Sequence, residues 1–206
     1  MKYAIFGDLH SNIDDTKAVL SHISKVEPNA LKVCLGDLYE CTISSKMATS
    51  VSNLKLDECA IVTDEFEKLL AFPSTRGNQE ERISKVSGMN RFSELPDKII
   101  IDDATLIHGH QIDWGCNGII NHIPIKINTP ILFFGHIHQS RIFKNNDTNE
   151  KVQLNFSFGE EFKLNDEKYW INVGSVWVDR VWCLYDSIKK TIIFMNPSTL
   201  IKSLEE

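Results

Sequence analysis

Short apolar runs that end abruptly in polar turns recur along this chain, and this pattern constrains the fold more tightly than any other feature. Apolar runs of about four to eight residues bounded by turn residues are typical of buried strands. Open α/β sheets place functional side chains at the carboxyl ends of such strands. The sequence therefore predicts that the polar residues following these runs gather at one sheet edge. They are Asp8, His10, Asp37, Asn78, His108, His110, His136 and His138.

The N-terminal part of the chain has the pattern of a β-α-β unit. Residues 2–6 predict a first strand, and residues 31–35 predict a second. Between them, apolar residues at helical spacing follow Ser11 and Asn12, either of which can cap a helix. A ligand type thus stands at the carboxyl end of each strand.

The rest of the chain passes from helical to strand-rich patterns. We expect residues 43–72 to be mainly helical, residues 72–75 to form a short strand and residues 80–86 to form one or two helical turns. Residues 98–107 predict a hairpin, and residues 131–134 predict another buried strand. A run of antiparallel strands, forming a second sheet packed on the first, is predicted for the remainder. These strands are 141–144, 152–158, 169–173, 181–185 and 191–195.

Charge and composition exclude several classes of protein. The net charge of −6 and the scattered lysines and arginines argue against a broad nucleic-acid-binding surface. No stretch approaches the ~18 apolar residues of a membrane span, and the run before Asp8 is too short for a secretory signal. Five cysteines without C-x-x-C spacing favour free thiols in a reducing cytosol. We expect one cytoplasmic domain spanning residues 1–206, and the sequence leaves its oligomeric state open.

The residues at the predicted strand ends are of types that bind divalent metal ions. A carboxylate such as Asp37 has two oxygens and can bridge two cations, Asn78 offers an amide oxygen, and imidazoles favour Zn, Fe, Mn, Co or Ni. No cysteine joins the set, which argues against a structural thiolate-zinc site. Each residue alone has an ordinary explanation as a turn or a hydrogen-bonded histidine. Because the ligand types complement one another and end separate strands, the combination predicts a metal site.

The order of these residues resembles that of the calcineurin-like metallophosphoesterases. The blocks of that family are D-x-H, G-D, G-N, a histidine usually followed by glycine, and G-H-x-H. The spacing is similar to that of small prokaryotic phosphodiesterases and dinucleoside polyphosphate hydrolases. The resemblance implies a four-layer α/β/β/α sandwich of two packed mixed sheets flanked by helices. The matching blocks are Gly7-Asp8-Leu9-His10, Gly36-Asp37, Gly77-Asn78-Gln79, His108-Gly109-His110 and Gly135-His136-Ile137-His138.

The resemblance also implies two divalent metal ions, with manganese expected first. The implied reaction is hydrolysis of a phosphodiester, nucleotide or dinucleoside polyphosphate by a hydroxide that bridges the two ions. The predicted catalytic residues are Asn78 and His110, the latter as a proton donor, as a partner of a ligand, or as a hydrogen-bonded neighbour without a role in the chemistry. One ion would be held by Asp8, His10, Asp37 and His138, and the other by Asp37, Asn78, His108 and His136.

One position, Gln79, departs from the family's pattern. Many members, including the protein phosphatases, have a histidine there, whereas glutamine cannot donate a proton at neutral pH. The G-D-x-x-D-R-G block of the Ser/Thr phosphatases is also missing. Both differences favour phosphodiesters or phosphoanhydrides with good leaving groups. Predicted substrate contacts are Asn12, Arg76 and Gln79, although Asn12 can instead cap a helix and Arg76 can form a surface ion pair.

Two other functions remain open at this point. One is a phosphoprotein phosphatase, which the Gln79 position disfavours. The other is a non-catalytic metal-binding interaction module comparable to the retromer subunit of this family, a class marked by lost ligands. Glu40 and Asp113 are expected either to orient ligating imidazoles or to be solvated. Trp114 and Trp177 near predicted loops are expected either to contact a nucleobase or to pack in the core.

Overall fold

The computed structural model describes residues 1–115, 120–145 and 151–198. The strands are Lys2–Phe6 (β1), Leu31–Cys34 (β2), Glu40–Cys41 (β3), Ala60–Ile61 (β4), Lys98–Ile101 (β5), Ala104–Ile107 (β6), Asp113–Trp114 (β7), Ile120–His122 (β8), Ile131–Phe134 (β9), Arg141–Asn145 (β10), Lys151–Leu154 (β11), Phe162–Lys163 (β12), Lys168–Asn172 (β13), Trp182–Asp186 (β14) and Thr191–Met195 (β15). The helices are Ile13–Val26 (α1), Leu56–Cys59 (α2), Asp64–Glu67 (α3), Asn78–Ser87 (α4), Asn90–Ser93 (α5) and Val176–Asp179 (α6), with a 3-10 turn at Met47–Thr49.

Two mixed sheets form the body of the fold. The first has the order β12-β15-β14-β1-β2, in which β1 is parallel to β2 and antiparallel to β14. The second has the order β11-β10-β13-β9-β6-β5, in which β9 runs parallel to both β13 and β6. The antiparallel β5–β6 hairpin at its edge has the predicted strand limits. Parallel neighbours bring the carboxyl ends of β1 and β2, and of β6 and β9, to the same edges.

Each face of the sheets is covered by a different layer. Along β1, Tyr3 and Ile5 point between the two sheets, whereas Ala4 and Phe6 point to the helical side, as the period of two in a strand requires. The outer face of the second sheet carries Phe134 and packs against the paired strands β7 and β8. The predicted α/β fold of two packed mixed sheets with helices is confirmed.

Helix α1 forms where the sequence predicts it. The Asn12 side chain accepts a hydrogen bond from the Asp15 N–H at 3.0 Å, and Asp14 and Asp15 occupy the first turn, where the helix dipole favours negative charge. Val19 and Ile23 on one face are buried against the first sheet. No helix among the described ranges is long and apolar enough to cross a membrane.

The prediction that residues 43–72 are mainly helical was wrong. This stretch contains α2, α3, the strand β4 and one 3-10 turn, separated by irregular chain. Hydroxyl side chains start new short elements here: Ser44 accepts from the Met47 N–H at the 3-10 turn, and Thr63 accepts from the Phe66 N–H as the N-cap of α3. The helical spacing of the apolar residues therefore reflects several short elements packed on the helical side of the first sheet.

Two further expectations need refinement. Residues 72–75 form only an isolated parallel bridge, in which Ser74 pairs with Cys34 beside β2. The late strands do not all join a second sheet, since β14 and β15 lie in the first sheet with β1. The four described cysteines have free thiols, and Cys116 lies outside the described residues.

Candidate metal centre

The predicted ligands lie in turns at the carboxyl ends of the central strands. In the first sheet, the turn after β1 bonds to the turn after β2, with the Asp8 N–H donating to the Gly36 carbonyl at 3.0 Å. In the second sheet, the Gly135 N–H after β9 donates to the His108 carbonyl after β6 at 2.8 Å. Each sheet thus joins two ligand turns into one hydrogen-bonded unit.

Two hydrogen bonds connect these units across the sandwich. The His136 N–H donates to Asp8 Oδ2 at 3.2 Å, and His108 Nδ1 donates to the Leu35 carbonyl at 2.8 Å. With Nδ1 as the donor in the second bond, His108 Nε2 faces the other ligands, where it can bind a metal once it has lost its proton. The rims of the two sheets therefore meet at the ligands themselves.

Six of the predicted ligands form two clusters. We call Asp8, His10 and His138 the outer cluster, and Asp37, His108 and His136 the inner cluster. Within each cluster the candidate ligand atoms lie within 4.8 Å of one another. The seventh predicted ligand, Asn78, adjoins the inner cluster, with its Oδ1 3.0 Å from His108 Nε2. The structure therefore brings together all seven predicted metal ligands.

Asp37 belongs to the inner cluster and is also close to the outer one. Its Oδ2 is 3.2 Å from His108 Nε2 in the inner cluster and 3.8 Å from His10 Nε2 in the outer cluster. Its other oxygen, Oδ1, accepts a hydrogen bond from the Gln79 N–H at 2.9 Å. A carboxylate in this position has the geometry needed to serve both clusters.

The residues fit divalent cations by their unpaired atoms as well as by their types. In the described part of the chain, Asp8 Oδ1 and His10 Nε2 are buried without a hydrogen-bond partner. His138 Nε2 approaches Asp8 Oδ1 at 3.2 Å without hydrogen-bond geometry. Burying unpaired polar atoms costs about 1–3 kcal/mol each, and a cation coordinated by both atoms removes that cost. Carboxylate, amide and imidazole donors are a set that Mn, Fe, Co, Ni and Zn accept.

Most of the ligand residues have a left-handed backbone. Asp8, His10 and His138 of the outer cluster have φ values of 57°, 48° and 56°, and Asp37 and His136 of the inner cluster have 49° and 72°. Non-glycine residues adopt this conformation at a cost of about 1 kcal/mol or more each. Such strain persists where the surrounding structure imposes it, and it is concentrated at functional sites.

Two glycines of the sequence blocks make room for carboxylates of other blocks. A Cβ on Gly77 would lie 2.1 Å from Asp37 Oδ1, and a Cβ on Gly135 would lie 2.5 Å from Asp8 Oδ2. Both distances are far below van der Waals contact. The glycines that precede Asn78 and His136 are therefore required for the close approach of the turns.

Sequence reasoning missed the residue that holds the inner cluster in place, Glu80. Its carboxylate is fully buried and accepts hydrogen bonds from the backbone N–H groups of Asp37 at 3.0 Å, Tyr39 at 3.1 Å and Gly77 at 2.9 Å. Burial, followed by the nearby charge of Asp37, raises the pKa of Glu80 to about 7. The one signal in the sequence was a glutamate in the first turn of α4, three residues after Gly77.

The outer cluster has a supporting carboxylate of its own. His10 Nδ1 lies 2.5 Å from Glu40 Oε2, which leaves Nε2 for a ligand. Glu40 is more exposed than Glu80, with 37% of its side chain accessible. The expectation that Glu40 orients a ligating imidazole agrees with this contact, whereas Asp113 lies exposed in β7.

The protonation of the two inner histidines differs. Burial opposes the charge on His108, but contact with Asp37 outweighs it and raises the pKa of His108 to about 9. Burial, reinforced by the neighbouring charge of His108, lowers the pKa of His136 to about 4, so its ring is neutral and able to bind a metal. Burial opposes the ionisation of Asp37, but contact with His108 and the Gln79 N–H outweighs it and lowers the pKa of Asp37. His136 therefore presents a neutral imidazole and Asp37 an anionic carboxylate.

The three predicted substrate contacts are engaged with the protein itself. Asn12 caps α1 through Oδ1 and donates to Asp15 through Nδ2. Arg76 donates to Asp97 and to the Ser93 carbonyl. Gln79 is buried, and its Oε1 accepts from the Cys41 N–H at 3.1 Å. Their roles in substrate binding stay predictions.

His110 and Trp177 lie beside the clusters. The His110 ring is 5.3 Å from the His108 ring and its Nε2 is 3.2 Å from Glu81 Oε1. The Trp177 ring is 5.1 Å from that of His10 and 5.9 Å from that of His138. His110 thus borders the inner cluster and Trp177 the outer cluster.

Comparison with known proteins identifies the family of this chain and structures with a similar fold. A family model described as the calcineurin-like phosphoesterase superfamily domain matches residues 1–181. The structure is similar to that of a metallophosphoesterase from Sphaerobacter thermophilus, with a TM-score of 0.60 at 17% identity over 95% of this chain and 87% of that one. It also matches the phosphoesterase Yfce from E. coli, with a TM-score of 0.42 at 17% identity over 91% and 89% of the two chains. No match was found among curated protein sequences.

Proposed function

This chain belongs to the calcineurin-like phosphoesterase superfamily, whose members are metal-dependent, and from that premise we propose that it is a phosphoesterase with two metal ions. The proposed substrates are small molecules that contain a phosphodiester, nucleotide or dinucleoside polyphosphate group. The observation that supports this proposal best is the pair of ligand clusters with Asp37 between them.

The proposed ligands are those of the two clusters together with Asn78. When bound, two divalent ions polarise phosphoryl oxygens and lower the pKa of a coordinated water. We propose manganese as the bound metal. Asp37 would contribute to both ions, and the Asn78 amide oxygen would complete the inner set without adding charge. Glu80 and Glu40 hold the turns and the His10 ring in the orientation that coordination needs.

His110 is proposed to contact the phosphoryl group or its leaving oxygen. It borders the inner cluster, and its buried Nδ1 has no hydrogen-bond partner within the described residues. Glu81 holds the opposite nitrogen of the ring at 3.2 Å. The side chain is therefore oriented beside the ligands without being one of them.

A diester or anhydride substrate fits this site better than a phosphoprotein. Gln79 stands where many relatives have a histidine, and its carboxamide oxygen is occupied by the Cys41 N–H. Substrates with good leaving groups need less help from a proton donor than phosphoserine does. We therefore rank phosphodiester hydrolysis above phosphoprotein dephosphorylation.

The second candidate function is a non-catalytic metal-binding interaction module on this fold. The complete set of ligand residues argues against it, because that class is marked by lost ligands. We also propose a cytoplasmic location, supported by the free thiols of Cys34, Cys41, Cys59 and Cys183, and no broad nucleic-acid-binding surface.

Hydrolysis of two model esters tests the proposal. With added Mn²⁺ we expect bis-p-nitrophenyl phosphate to be cleaved faster than p-nitrophenyl phosphate, and we expect a chelator to abolish both rates. Faster monoester cleavage would support the phosphatase instead. Metal binding without turnover of either ester would support the interaction module.

The variant Asp37→Ala tests the shared ligand. We expect kcat/KM for the diester to fall by at least about 100-fold. Loss of a residue that only orients a metal ligand typically lowers activity by about 10- to 100-fold, and loss of a ligand shared by both ions should lower it more. Bound manganese, measured by mass spectrometry, should fall together with activity. Asp57→Ala, at an exposed position in α2, is the matched control and should change neither quantity. Activity that survives Asp37→Ala would contradict the shared role.

A further inference from the structure

Trp177 differs from the other tryptophans in its exposure. All four tryptophans lie in the described ranges. Trp182 is fully buried, Trp114 packs against Phe134, and Trp170 lies under the Lys151 ammonium. Trp177 is 49% exposed. Leaving an indole half in water forfeits much of the stabilisation that burial of a large aromatic side chain provides.

The backbone beneath Trp177 is fixed to the outer cluster. The Val176 N–H donates to the Gly7 carbonyl at 3.0 Å, and the Trp177 N–H donates to the Asp8 carbonyl at 3.0 Å. The hydroxyl of Ser175 caps α6 and also donates to the Asp8 carbonyl at 3.3 Å. Trp177 is therefore held by the same turn that contributes a ligand.

The ring of Trp177 lies beside two imidazoles of that cluster. It is tilted by 47° to His10 and meets His138 edge-on at 84°. One part of the indole covers the ligands while another part faces solvent. Any phosphate held at the clusters would therefore have its substituents within reach of an exposed aromatic surface.

We propose that Trp177 is a specificity-determining residue that stacks against a nucleobase joined through its sugar to the bound phosphate. This inference rests on the proposed function, since it assigns one substituent of the substrate. Any nucleobase has a flat face that can stack on an indole, so this contact does not require a particular base. Stacking is strongest when the aromatic side chain is already held in place, because less entropy is then lost on binding. The preferred substrates are thus nucleotide esters rather than small alkyl phosphodiesters.

Two diesters with the same leaving group isolate this contact. Thymidine 5′-(p-nitrophenyl phosphate) and methyl p-nitrophenyl phosphate both release p-nitrophenolate, and only the first carries a base. For Trp177→Ala we expect kcat/KM to fall by about 5- to 100-fold for the thymidine ester, and less than about twofold for the methyl ester. Trp177→Phe should restore most of the loss. Val178→Ala, at the exposed neighbouring position, should behave like the unmodified protein.

A purely protective role for Trp177 predicts a different result. If the indole only shields the ligands, bound manganese should fall in Trp177→Ala and both esters should slow equally. Equal slowing, or no change for either ester, would overturn the proposal. Manganese content is therefore measured on every variant.

A binding measurement separates this inference from the proposed activity. If the unmodified protein cleaves neither ester, the proposed function fails, and equilibrium dialysis with manganese then decides the role of Trp177. We expect adenosine monophosphate to bind at least about fivefold more tightly than ribose 5-phosphate, with the preference lost in Trp177→Ala. Equal binding of the two ligands, or binding of neither, would overturn the proposal.

Discussion

The outer and inner clusters have similar ligand types but different surroundings. In the inner cluster, Asp37 and His108 are buried, His136 is partly exposed, and His108 is anchored to a backbone carbonyl. In the outer cluster, Asp8 is buried, but the His138 side chain is 26% exposed and one face of the group borders solvent beside Trp177. Neighbouring ligand sets in one site thus have unequal access to water.

The clusters also differ in how far the protein satisfies their atoms. Both oxygens of Asp37 and both nitrogens of His108 have polar neighbours within the protein. The outer cluster has two buried atoms without a hydrogen bond among the described residues, Asp8 Oδ1 and His10 Nε2, and the His138 ring lies beside the first of these. The inner cluster is therefore pre-organised by hydrogen bonds, whereas the outer one has more atoms available to a cation.

The largest expected effect on this comparison comes from Glu80→Gln. Glutamine keeps one acceptor but points an N–H₂ group toward backbone N–H donors, so we expect a loss of about 2–3 kcal/mol in the free energy of unfolding. Manganese affinity of the inner cluster should fall by about 10- to 100-fold. Urea denaturation and metal titration measure the two quantities. Glu65→Gln, which removes one exposed ion pair with Lys17, should cost less than about 1 kcal/mol.

Unchanged stability in Glu80→Gln would show that the inner cluster does not depend on its backbone bonds. The contrast between the clusters would then rest on exposure alone.

A smaller and more local effect is expected from Glu40→Gln. The substitution weakens the contact with His10 Nδ1 but leaves the buried bonds of Glu80 intact. We expect bound manganese to approach one ion per chain at limiting metal, with an unfolding free energy within about 1 kcal/mol of the unmodified protein. Mass spectrometry of the metal-loaded protein gives the stoichiometry. Equal loss of both ions would mean that the clusters are not independent.

The smallest effect concerns His22, a histidine outside both clusters. Its Nδ1 accepts a hydrogen bond from Trp182 Nε1 at 3.0 Å, which only a neutral ring can do. Burial, assisted by the charge of Lys25, lowers the pKa of His22 below its usual 6.5. Because the unfolded chain then binds the proton more readily, this stabilisation is present above about pH 6.5 and is lost as the pH falls toward the folded-state pKa.

His22→Gln keeps a hydrogen-bond acceptor without the titrating ring. We expect its free energy of unfolding to fall less between pH 7 and pH 5 than that of the unmodified protein, by about 1 kcal/mol or less. Denaturation at several pH values measures this difference. Parallel pH curves for the two proteins would assign the acid sensitivity to the metal-site histidines instead.

Parts of the fold and site were predictable because local patterns decide them. The strands at β1, β2 and β9 follow from apolar runs, and the ligand positions follow from the turns that end those runs. The helical prediction for residues 43–72 failed because this stretch starts several short elements, as where Thr63 caps α3. The role of Glu80 could not be predicted, because a glutamate in the first turn of a helix does not indicate which distant N–H groups it binds.

The amino-acid sequence by itself determined which residues can bind metal and that they stand at the ends of buried strands. The family resemblance already implied which ligands share an ion, but the contact between Asp8 and His138 forms only when the two sheets pack face to face. Tertiary structure also decided that β14 and β15 join the first sheet and that Trp177 lies beside His10. Periodicity records the local choice between helix and strand. Contacts between residues more than a hundred positions apart depend on how whole sheets pack, which no local pattern encodes.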